Sequence, residues 1–135
     1  IYVRRRRLLA PVVDPDVTAP ILSSPTAAKS GTTTATGTVV TDELNGTLYY
    51  LTTQSATPPS AATIVATGDS QTVTQATENI SVSGLSPVTT YYVHYVQKDS
   101  AGNTSNVVTS GSFTTDASGA VIITDVFYRT LLAGI

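Results

Sequence analysis

Pro87 places the firmest limit on what this chain can become. Its ring fixes its own backbone angle and bars a helix at Ser86. Four residues later begins Tyr91-Tyr92-Val93-His94-Tyr95-Val96, a run of aromatic and β-branched side chains. A chain that bends at Pro87 and then enters such a run forms a strand. Its two-residue period puts Tyr91, Val93 and Tyr95 on one face and Tyr92, His94 and Val96 on the other. Both faces are largely apolar, as in a central strand that meets the core on one side and is partly covered by neighbours on the other. Asp99-Ser100-Ala101-Gly102-Asn103-Thr104-Ser105 then closes the strand with a turn.

The remaining chain reads as further strands. Thr18 to Pro25 carries prolines suited to an edge, and Thr33 to Thr41 follows, with Gly37 as a bulge or a point of close approach. Asn45-Gly46 is a strong hairpin signal before a strand over Thr47 to Gln54. Ser60, after two prolines, caps a short helical turn through Ala66 that Gly68 ends. Gln71 to Gln75 and Ile80 to Ser83 are the next strands, with Ile80, Val82 and Leu85 directed to the core. Asn106 to Thr115 is the last. At 135 residues, with 41% hydrophobic and 12% charged positions, the chain fits one β-rich domain with additions.

Leu85-x-Pro87-x-Thr89-x-Tyr91, the alternating strand and the Asp-x-Ala-Gly-Asn-x-Ser turn together resemble the F strand and F–G loop of fibronectin type III-like domains. The version they resemble is common in bacterial surface and bacteriophage virion proteins. The resemblance covers roughly residues 16 to 116. It implies an all-β, fibronectin type III/immunoglobulin-like sandwich of about seven strands. Leu85 and Pro87 would shape its corner, and the Tyr91 hydroxyl would bond back to upstream backbone. Residues 1 to 15 then form a basic, apolar N-terminal arm and 117 to 135 an apolar C-terminal extension. Such a fold hosts many unrelated roles.

Charge is distributed unevenly. Arg4, Arg5, Arg6 and Arg7 stand among Tyr2, Leu8 and Leu9 with no acid nearby, whereas residues 18 to 116 set Lys29 and Lys98 against six carboxylates. Four guanidinium groups suit phosphates or carboxylates, and the apolar flanks favour a protein partner over nucleic acid. No run approaches the roughly 18 apolar residues of a membrane span, and the stretch after Arg7 is too short for a signal peptide. The C-terminal stretch holds Val121, Ile123, Phe127, Tyr128 and Leu131, apolar material that a complete sandwich does not need. It either folds back on the domain or binds another chain, other copies of itself included.

Residues for catalysis are few. His94 is the one histidine, no Gly-x-Ser-x-Gly elbow is present and cysteine is absent, which points away from an enzyme and from thiolate metal sites. Asp99 to Asn103 offers one carboxylate where a calcium loop wants several, so no metal or other cofactor is expected. These features and the resemblance together imply a virion protein on the exterior of a capsid or tail, joined to other virion proteins or to itself by its terminal arms. The competing expectation is an adhesin module that binds cell-surface carbohydrate through Tyr49, Tyr50 and Tyr92.

Overall fold

A computed structural model describes residues 15 to 119; both terminal segments singled out above, Tyr2 to Leu9 and Val121 to Leu131, lie outside them. Among the described residues, eight strands and one helix follow in the order β1 (Leu22–Lys29), β2 (Ala35–Thr41), β3 (Thr47–Thr53), α1 (Ala61–Thr67), β4 (Asp69–Thr72), β5 (Thr77–Val82), β6 (Thr90–Lys98), β7 (Val108–Thr109) and β8 (Phe113–Thr114). They form two antiparallel sheets. One has the order β1-β2-β5; the other is β4-β3-β6-β7, with β8 also on β6. The described chain is therefore an all-β sandwich.

Alternation builds the core between the sheets. Leu22, Val39, Ile80 and Val82 from the first sheet meet Leu48, Tyr50, Tyr91, Val93, Tyr95 and Phe113 from the second. Leu85 joins them from the corner after β5. Fully burying one such aliphatic side chain contributes about 1.5–3 kcal/mol.

Several boundaries differ from expectation. The first strand starts at Leu22, because Pro20 is buried and the stretch before it makes no ladder. Pro25 is absorbed by a register shift between Ser23 and Thr26, where Ser24 takes a positive φ of 48°. The last strand is broken into β7 and β8. The cause lies in its serines: Val93 N–H donates to Ser110 Oγ at 3.0 Å and Gln97 N–H to Ser105 Oγ at 2.8 Å. Hydroxyls thus replace carbonyls along that edge and interrupt the regular ladder.

Tyr91 closes the corner after β5. Tyr91 is buried, and its hydroxyl accepts a hydrogen bond from Ser86 N–H at 3.0 Å. That bond, with others from nearby groups, holds the phenol below its usual pKa. Pro87 O accepts from the Thr89 hydroxyl at 2.9 Å, and Thr115 Oγ1 donates to Ser86 O at 2.7 Å, so the bend is tied to the end of the domain. Tyr91→Phe is expected to leave the fold intact and lower Tm by several degrees, because Ser86 N–H loses its acceptor. An unchanged Tm in a thermal scan would show that the corner does not depend on this bond.

The domain's two ends are far apart. Asp16 sits at one pole, where its carbonyl accepts from Asn103 Nδ2 at 3.1 Å. Asp116 sits at the other, where its N–H donates to Gly31 O at 3.2 Å and its carboxylate pairs with Lys29. The nine residues of β6 run between the poles, a span of roughly 30 Å at the usual strand rise.

Candidate functional site

The outer face of the second sheet holds His94, fully buried in the middle of β6. Register places Leu51 on one side of it and Thr109 on the other. Its ring nitrogens are both occupied: Nε2 bonds Thr53 Oγ1 at 2.8 Å and Nδ1 bonds Thr109 Oγ1 at 2.9 Å. Helix α1 packs against β3 and β6, with Ile64 its buried residue and Ser60 Oγ capping it by accepting from Thr63 N–H. Burial lowers the His94 pKa, outweighing a favourable hydrogen bond at Ser55. A base whose folded pKa is depressed contributes stability above its unfolded value of 6.5 that is lost as pH falls through and below it. The imidazole signals of His94 should accordingly titrate with a midpoint below 6.5. A midpoint at or above that value in an NMR titration would contradict this arrangement. With both nitrogens engaged by threonines, His94 acts as a buried cross-strand link.

The three tyrosines proposed for sugar binding do not come together. Tyr50 turns into the core opposite Tyr95, and its hydroxyl donates to Ser81 O on β5 of the facing sheet at 3.5 Å. Tyr49 and Tyr92 share the outer face and are half-buried, but Tyr49 pairs with Val96 and Tyr92 with Thr53. Four residues of β6 separate those positions, roughly 13 Å. No stacked aromatic platform results. The period of two assigns these faces once β3 is aligned with β6, and the sequence alone did not supply that alignment.

A different group gathers at the pole where Asp16 lies. Carboxylate oxygens of Asp16, Glu43 and Asp99 come within 4.8 Å of one another, from three separate segments. Glu43 and Asp99 were legible only as isolated acids in turns and Asp16 as the boundary of the N-terminal arm, since the β2–β3 and β6–β7 connections meet only in the fold. Gly46, at φ 79°, lets the first connection lie directly on the backbone of Lys98 and Asp99. Asp99 is buried, with Oδ1 accepting from Gly102 and Asn103 N–H and Oδ2 from Asn103 Nδ2. Burial raises its carboxyl pKa, and these donors together outweigh that and hold it below the ordinary value. Next to it the fully buried Gln97 donates through Nε2 to the carbonyls of Glu43 and Asn45, both at 2.9 Å, which braces the loop from beneath. Among the described residues these three acids are the set that could hold a hard cation, and the ion pair Lys29–Asp116 lies at the opposite pole.

A shallow groove of about 440 Å³ runs between α1 and the turn after β6, lined by Ala61, Ala62, Val65, Lys98 and Thr104. Its walls carry one charge and one hydroxyl, a sparse set of groups for orienting a small molecule. No family model matches this chain, and no curated protein matches its sequence.

Proposed function

We propose that this chain is a non-enzymatic structural protein: a fibronectin type III-like module on the exterior of a bacteriophage capsid or tail, holding two attachment segments apart. The observation that carries the structural role is the geometry of the ends. The basic, apolar segment before Asp16 and the apolar segment after Asp116 join the sandwich at opposite poles, so the domain acts as a spacer between two contacts. Asp16 and Asp116, where these segments meet the sandwich, are tied to their poles by hydrogen bonds to Asn103 and Gly31. The division of strands into β1-β2-β5 and β4-β3-β6-β7, together with the Tyr91 corner, supports the fibronectin type III-like type. The engaged, buried His94 supports a non-catalytic role. The virion setting rests on the resemblance in sequence.

Two variants test the proposal. Replacing Arg4 to Arg7 by Ser is expected to leave Tm nearly unchanged and to abolish attachment to the particle. Attachment of the unaltered chain should weaken with added salt, because charge pairs are screened over about 8–10 Å near physiological ionic strength. Ending the chain at Asp116 should preserve β-type circular dichroism and remove the second contact. Wild-type attachment by both variants in a co-sedimentation assay would overturn the anchoring role.

A further inference from the structure

We infer that the outer edge of β5 is a docking site for a strand supplied by a second copy of this chain, namely its residues 121 to 128. The inference rests on the reading of the chain as a module that assembles through its terminal segments, and it names the contact.

The sheet edges are not alike. β1 carries Pro25, a register shift and a terminal Lys29, three devices that discourage strand addition. β4 has four residues, and β7 and β8 have two each. β5 has six, with unbroken register against β2 and neither proline nor a basic residue. Its one charge, Glu78, is turned inward, where its carboxylate accepts from Thr74 and Gln75 N–H.

The hydrogen-bond phase of β5 can be assigned. Thr41 N–H donates to Ala76 O, so odd-numbered residues of β2 face β5, and Val39, Gly37 and Ala35 pair with Glu78, Ile80 and Val82. Alternation then directs the backbone N–H and C=O of Thr77, Asn79 and Ser81 away from β2, toward an edge on which no strand of the described residues lies. The side chains of these three residues are exposed as well. Ser81 O already accepts from the Tyr50 hydroxyl at 3.5 Å, so an incoming strand finds its main-chain partners chiefly at Thr77 and Asn79.

The occupant is chosen by its sequence and by where the domain ends. Val121-Ile122-Ile123-Thr124-Asp125-Val126-Phe127-Tyr128 is long enough to cover β5 and is mostly apolar at both alternate sets of positions, with Thr124 and Asp125 the polar exceptions. A strand added to one sheet of an isolated domain needs one apolar face. Two such faces call for cover from both sides, which neighbouring copies provide. Within one chain the segment would have to cross the end of its own sheet, since β8 contacts β1 and β2 separates β1 from β5; residues 117 to 120 can span that distance of about 10 Å, so oligomeric state is what separates the two routes.

The test uses the full chain, with sedimentation velocity as readout and a peptide of residues 119 to 130 as competitor. Wild-type protein should associate head to tail, and excess peptide should return it to monomer. Asn79→Pro removes an N–H that faces away from β2; it should keep the β-type circular dichroism and sediment as a monomer. Amide exchange at Thr77, Asn79 and Ser81 should slow on assembly. Association that survives both excess peptide and Asn79→Pro overturns the edge assignment and leaves the structural role standing. A full chain that stays monomeric at high concentration overturns the second copy as occupant, whether exchange at those three amides is fast or, by pairing with the chain's own tail, slow. If Asn79→Pro fails to fold, the peptide arm decides alone.

Discussion

Gly37→Ala is expected to cost about 3–5 kcal/mol in denaturant unfolding, a large part of the roughly 5–15 kcal/mol that holds a domain of this size. The reason is a contact across the sandwich. Tyr95 rises from β6 through the core, fully buried, and its hydroxyl donates to Thr26 O on β1 at 2.7 Å. Gly37 lies between them on β2, opposite Ala27 and Ile80. A Cβ there would fall on the Tyr95 hydroxyl and stand 2.6 Å from Thr26 O and 3.3 Å from Ile80 Cγ1. Neither obstacle is the far end of a flexible chain. The tyrosine is clamped, and the carbonyl belongs to the backbone, so relief requires β1 or β6 to move. Overpacking of about 1–3 kcal/mol is then joined by loss of the Tyr95 bond, with a carbonyl left without its donor. Tyr95→Phe alone should cost about 1–2 kcal/mol. Combined with Gly37→Ala it should cost less than the sum, since the first substitution has already displaced the hydroxyl. Strict additivity would mean that the two residues do not share this contact.

Glu78→Ala is expected to cost about 2–4 kcal/mol at neutral pH. This carboxylate accepts from Thr74 N–H at 2.6 Å, Gln75 N–H at 2.7 Å and Gln71 Nε2 at 2.7 Å. It thereby closes the β4–β5 connection and joins the edges of the two sheets. Thr74 and Gln75 are exposed, so water recovers part of the loss, which keeps the figure below the sum of three charge-assisted bonds. Burial raises the Glu78 pKa, and these donors together outweigh it and pull the group below its ordinary 4.5. A carboxyl with a depressed folded pKa contributes stability that is complete above its unfolded value and lost as pH falls through the folded one. Wild-type stability should thus fall as pH drops below about 4.5, with Asp99 adding to the slope at lower pH from its own ordinary value of 3.8. Glu78→Gln should flatten the first part of that decline. If Glu78→Ala unfolds at the wild-type denaturant midpoint at pH 7, the connection is held by other means.

The sequence alone determined those features whose causes lie within a few residues. The bend at Pro87, the faces of β6 and the Ser60 cap each follow from local sterics or a two-residue period, and so does the turn at Asn45-Gly46, which leads from one sheet to the other and closes no hairpin. The back-bonded Tyr91 hydroxyl was expected only from the family resemblance. The basic and apolar segments at residues 2 to 9 and 121 to 131 were equally plain as composition. Tertiary structure decided whatever depends on which distant residues become neighbours. Gly37 was legible as a special position, but its reason, Tyr95, stands 58 residues away on the other sheet. Tyr49 and Tyr50 are the same residue type side by side, and only the register of β3 on β6 sends one outward and the other into the core. Glu78, Gln97 and the trio of Asp16, Glu43 and Asp99 read as ordinary polar residues until strand order carries their loops to shared edges and poles. A hydrogen bond or a charge pair acts over a few ångströms; chain separation says nothing about such distances until the sheets have chosen their partners.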